Sequence, residues 1–108
     1  MKLTKGQALE LHWQMWGNMQ NSLGDCPKVH ERGKYKSEWC RNHFPNENIS
    51  SHCFLCEYDD QFRDYFCRHC PIDWSNGGED DNSCMFGHFT YDASPISDIL
   101  ALPVREGV

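Results

Sequence analysis

No apolar run of about 18 residues occurs in this 108-residue chain, so no membrane-spanning helix is expected. The opening residues, Met1 to Gln7, lack the apolar stretch of a secretory leader. The expected location is therefore the cytoplasm, where thiols stay reduced and bind metal rather than pair. Catalytic signatures are missing as well. A zinc deaminase needs His-x-Glu ahead of Pro-Cys-x-x-Cys, but His30 and Glu31 are adjacent and Pro71 follows its cysteine pair. There is no His-Glu-x-x-His helix, no Gly-rich phosphate loop and no βαβ context for thioredoxin-type chemistry. These absences point away from an enzyme and from a small-molecule substrate. Positive charge is also scarce: 10 Lys/Arg stand against 16 Asp/Glu, a net charge of −6.

What the chain does have is cysteine. Cys53, Cys56, Cys67 and Cys70 form a C-x2-C-x10-C-x2-C array. Each C-x2-C pair can fold as a knuckle whose two thiolates face one metal, and two knuckles complete the tetrahedron of a structural Zn²⁺ site. Such a site is closed and leaves no position for water or substrate. The ten residues between the pairs leave little room for the catalytic insert of a metal-knuckle nuclease. Seven cysteines, an odd number, fit complete disulfide pairing poorly. Iron in a rubredoxin-like centre is the other metal reading. It is weakened because Glu57 and Pro71, not Gly, follow the second cysteine of each pair, which should reduce N–H bonds to sulfur. Cys40 and His43, at i and i+3, could join Cys26, His30, His52 or Cys84 in a second site. Cys84 could instead substitute for one of the main four.

Charge is divided along the chain. Residues 1–44 carry seven Lys/Arg and four Asp/Glu, whereas residues 45–108 carry three and twelve. The acidic half suits a basic surface on a partner protein, with Glu57, Asp59, Asp60, Asp64, Glu79, Asp80 and Asp81 steering association. Tyr58, Phe62, Tyr65 and Trp74 are the candidate anchors, although most such aromatics fill a small core. The rival partner is nucleic acid, held by Lys28, Arg32, Lys34, Lys36 and Arg41 in the basic segment 28–41.

The expected fold is a small α+β zinc-binding domain spanning residues 1–108 as one unit. An amphipathic helix covers 4–23, with Thr4 and Gln7 as a capping box, Ala8, Leu11, Met15, Met19 and Leu23 in its apolar stripe, and Gly24 at its end. Leu9, Trp13 and Trp16 widen that stripe. Residues 25–36 read as a basic loop, and a second helix runs from Tyr35 to Phe44, stopped by Pro45. These elements make up a helical, slightly basic part, 1–44. A zinc-knuckle or ribbon-like module follows at 52–74, with a hairpin or one to two helical turns between the pairs. The last helix lies in 92–103, capped by Asp92 or Ser94, with a frayed tail beyond it.

The linear pattern resembles a group of small cysteine-rich proteins of bacteriophages and prophages. The stretches that carry the likeness are Ala8-Leu9-Glu10-Leu11-His12 with Met15-Trp16, then Trp39-Cys40, then Cys53-Phe54-Leu55-Cys56-Glu57-Tyr58. They continue with Cys67-Arg68-His69-Cys70-Pro71-Ile72-Asp73-Trp74, Cys84 and a helix ending near Leu102-Pro103. The resemblance implies a metal role for Cys53, Cys56, Cys67 and Cys70. It also implies the setting of a phage accessory protein that binds a host protein, such as a defence nuclease or a transcription component, and inhibits or redirects it.

Overall fold

Thr4 starts the first helix as the sequence predicts. In the computed structural model, which describes residues 1–63, 67–76, 84 and 89–108, its hydroxyl accepts the Gln7 N–H at 3.1 Å. The Gln7 side chain accepts the Thr4 N–H at 2.9 Å, closing the capping box. Helix α1 (Lys5–Leu23) ends at Gly24, whose φ of +86° favours glycine and whose N–H reaches the Gln20 carbonyl at 2.9 Å. The buried stripe is Ala8, Leu9, His12, Met15, Trp16 and Met19. Trp13 and Leu23, expected inside, face solvent, and His12 takes an inner place instead. Met15, Met19 and Trp16 thus pack the core instead of forming an open groove.

The basic segment is mostly helix, not loop. Helix α2 (Val29–His43) starts six residues earlier than the periodicity indicated. The Glu31 carboxylate accepts the Lys28 N–H at 2.9 Å, which satisfies a donor at the start of the helix. Trp39 and Cys40 are buried, as expected, and the Phe44 N–H closes the last turn on Cys40 at 2.8 Å, just ahead of Pro45. Arg32, expected as an exposed cation, is internal. Its guanidinium donates to the carbonyls of Pro27, Tyr91 and Ser94 at 2.9, 3.2 and 2.6 Å.

Helix α3 (Phe54–Asp59) begins inside the first cysteine pair and runs into a 3₁₀ turn, Asp60–Phe62, so the described part of the linker takes the helical option. Helix α4 (Ile96–Ala101) follows Pro95, which occupies its N-cap position. Neither Asp92 nor Ser94 caps it. Asp25 does so from across the chain: its carbonyl accepts the Ile96 N–H at 2.8 Å, and its carboxylate takes the Ser97 N–H at 2.7 Å and hydroxyl at 2.8 Å. These bonds hold the Asp25 carboxyl below the usual carboxylate range. Helix α1 contacts the other three helices. Ile96 and Ile99 are fully buried against the common core, with Phe54, Leu55, Ile72 and Trp74.

Among the described residues there is no β-strand, so the β half of the expected α+β class and the ribbon description give way to a helical domain. One antiparallel bridge joins Ile72 to Val104. That bridge also corrects the frayed tail. The Asp73 N–H donates to the Pro103 carbonyl at 2.9 Å and the Arg105 N–H to the Pro71 carbonyl at 2.7 Å, so residues 103–105 are laid along the second knuckle.

Candidate metal centre

The N-terminus of α3 positions the first knuckle. Cys53 sits at its N-cap, with extended backbone, and its sulfur accepts the Cys56 N–H at 3.3 Å. Because Cys56 is three positions along a chain that turns helically at once, both sulfurs face the same side. The Cys56 thiol shares its proton with Cys53. That bond, outweighing burial and helped by Lys36, brings Cys53 down to about 7 and pushes Cys56 up.

The second knuckle is held by charges on either side of it. Asp59, at the end of α3, is buried and accepts the N–H groups of Cys67 at 3.0 Å and His69 at 2.6 Å. From the other side the Arg105 guanidinium donates to the carbonyls of Cys67 at 2.9 Å and Cys70 at 3.1 Å. This bracket fixes Cys67 at φ +65°, a left-handed conformation that a non-glycine residue holds only when its surroundings insist. The Cys84 thiol shares its proton with Cys67, which brings Cys67 down to about 6 and raises Cys84. Cys70 is pushed up to about 12, chiefly by burial.

Five thiols therefore lie in one electrostatic neighbourhood, as two proton-sharing pairs with Cys70 beside them. The bond from the Cys56 N–H to the Cys53 sulfur forms without a glycine in the knuckle. In donor chemistry the set suits a thiophilic metal such as zinc, with Asp59 and Arg105 fixing the second knuckle's backbone from behind. Among the described residues, no group of three or more His, Cys, Asp or Glu side chains is arranged to hold a metal ion. A metal would have to replace the two shared protons and draw the pairs together.

The second-site candidates separate. Cys40 is buried, which pushes its thiol up to about 11. The His43 ring stacks on Trp39 with centroids 3.8 Å apart and its Nδ1 lies 2.9 Å from the Trp39 carbonyl. Cys26 and His52 are exposed. Cys84 alone of the substitutes joins the main array.

The partner-binding residues also divide. Asp59 is committed to the knuckle, and Glu57 is buried beneath the Met1 amino group at 3.1 Å, so neither offers free charge to a partner. Trp74 is a core residue with 2% exposure, not an anchor. Asp60 stays exposed, and Asp64, Tyr65, Glu79, Asp80 and Asp81 lie outside the described residues. Phe62 is 46% exposed, stacks on His69 with centroids 4.3 Å apart and meets Tyr58 edge-on at 5.1 Å. Of the five cations assigned to nucleic acid, Arg32 and Lys36 are buried, leaving Lys28, Lys34 and Arg41 on the surface.

Sequence reasoning assigned Lys36 to nucleic acid and gave His12 no role, yet both are buried. The Lys36 ammonium lies 4.7 Å from the Tyr91 ring centroid and 5.7 Å from that of Trp16. His12 packs between Trp16 and Trp74, and its Nε2 is buried without a hydrogen-bond partner among the described residues. Burial first, and the Lys36 charge second, lower it to about 3. The only sequence signal for either was a polar residue at an inward helical position. No family model matches the chain, and neither does any curated protein or solved structure.

Proposed function

We propose that this chain is a zinc-stabilised, non-enzymatic module that binds a host protein and inhibits or redirects it, as a cytoplasmic phage-type accessory protein would. Zn²⁺ would be held by Cys53, Cys56, Cys67 and Cys70, with Cys84 as the thiol able to substitute, and it would supply structural cross-linking. The observation that carries the binding role is the Phe62–His69–Tyr58 aromatic ledge. It stands partly exposed on the cysteine module. Exposed aromatic groups already held in place by neighbours lose little freedom on docking and serve as interface anchors.

Affinity capture from host lysate, with and without nuclease, tests this reading. One stoichiometric protein should survive nuclease treatment. Purified, it should lose at least about tenfold in affinity for Phe62→Ala, as a hot-spot anchor does. Trp13→Ala, a comparably exposed residue on α1, should bind as the unmodified chain does. Recovery of nucleic acid alone would instead favour the basic face of α2, through Lys28, Lys34 and Arg41.

A further inference from the structure

Gly6, Glu10, Trp13, Gly17, Gln20 and Gly24 recur at alternating four- and three-residue steps, which places them in one row along the outer side of α1. Trp13 is 39% exposed. A Cβ added at Gly6, Gly17 or Gly24 would meet nothing within 4 Å among the described residues. Gly24 ends the helix and uses its positive φ. Gly17 lies mid-helix, where only proline is a poorer residue, and no neighbour in the fold requires it. The same stretch is free of charge. Between Glu10 and Asp25 there is no Asp, Glu, Lys or Arg, in a chain that is 24% charged with a net charge of −6. The exposed side chains beside the row are amides, Gln14, Asn18 and Asn21. An amide is both donor and acceptor and so pairs with a copy of itself, whereas like charges repel. A basic protein or a nucleic acid would find no charge to hold here. Two copies of an acidic chain repel each other, and a neutral face is where they can approach.

We infer that α1 pairs with α1 of a second copy of this chain, antiparallel, about a two-fold axis level with Met15. Trp13 and Gly17 stand at equal steps on either side of Met15. That axis therefore sets the Trp13 ring of each copy on the Gly17 of the other, so bulk meets open space twice. It likewise sets Glu10 against Gln20 and Gly6 against Gly24, and no carboxylate meets its own copy. Such a self-complementary patch is what a two-fold dimer requires. A parallel pairing would instead oppose Trp13 to Trp13 and Glu10 to Glu10. Charge depletion and a tryptophan anchor are also the marks of an interface core. The pairing needs no metal. Phe62 is on a different element, so Trp13→Ala should part the copies and leave each chain's affinity for a host protein as it was.

The test is sedimentation equilibrium of the full chain across a concentration series, under reducing conditions so that the exposed Cys26 cannot cross-link copies. The expected result is a reversible monomer–dimer equilibrium. Trp13→Ala removes the bulk and Gly17→Leu fills the space, and each should weaken the dimer by about tenfold or more, the scale of an interface hot spot. Val29→Ala, at a residue 58% exposed on α2, should leave the dimer within about threefold of the unmodified chain. Gly17→Leu also separates association from folding. Its Cβ meets open space and leucine favours helix, so at concentrations where the chain is monomeric it should melt no lower than the unmodified protein. A chain that is monomeric throughout would overturn the inference and leave the face to a different occupant. A dimer indifferent to both Trp13→Ala and Gly17→Leu would overturn it as well, by placing the contact elsewhere.

Discussion

His12 shows how one residue can set a pH response. Its imidazole is enclosed by Trp16 and Trp74, with Nε2 unpartnered among the described residues. The folded chain holds it neutral down to about pH 3, whereas the unfolded chain protonates it near 6.5. A histidine whose folded value is depressed costs stability as acid is added, because the unfolded state takes up the proton first. The loss begins as pH falls through 6.5 and continues towards 3, at up to about 1.4 kcal/mol per pH unit. Urea unfolding at pH 7 and pH 5 should therefore show about 2 kcal/mol more loss in the unmodified protein than in His12→Phe, which cannot take a proton. Equal losses would mean that His12 is charged or exposed in the folded state. Asp59 teaches a related lesson. Beside Asp60 it reads as surface charge, yet its carboxylate serves two knuckle amides while its neighbour stays in solvent.

Among the elements, the second knuckle is the one most dependent on distant help. Its own turn is closed by a single bond, the Cys70 N–H on the Cys67 carbonyl at 3.3 Å, and is braced from α3 through Asp59 and from the tail through Arg105. Arg105→Ala should leave the helices in place but uncover the carbonyls of Cys67 and Cys70. Amide exchange at residues 67–70 should speed up, and Zn²⁺ should be released at roughly tenfold lower chelator concentration. Unchanged exchange there would show that the tail merely rests on the knuckle. The α2 start was partly legible, since Glu31 stands three residues after Lys28, the position of a helix-start acceptor. The basic run and Gly33 hid it, and the anchor of that first turn, Arg32 on three carbonyls from Pro27 to Ser94, joins segments about 60 residues apart.

For the molecule as a whole, the proposed metal is a cross-link between parts that otherwise share a modest core. Structural zinc contributes about 10–16 kcal/mol in small domains, against total stabilities of about 5–15 kcal/mol. Removing it with a strong chelator should lower the melting temperature sharply and reduce the helical circular dichroism. A melt and spectrum unchanged by chelation would show that the helices and tail hold the cysteines unaided. Charge does not divide as simply in space as along the chain. The positive Arg32 and Lys36 are interior, and so are the negative Glu57 and Asp59, so the surface is less polarised than the linear halves imply.

The sequence by itself determined the local features. The Thr4–Gln7 box, the apolar step of α1, the two cysteine pairs and the apolar positions of α4 all follow from spacings of a few residues, where backbone geometry leaves few choices. Tertiary structure alone decided which polar groups went inside. Nothing local distinguishes Asp59 from Asp60 or Lys36 from Lys34. Their fates depend on amides, rings and sulfurs supplied by remote segments. The gathering of Cys84 with the array, the Asp25 cap on α4 and the docking of residues 103–105 have the same cause. Each is a long-range contact whose partner is chosen by packing, not by neighbours in the chain.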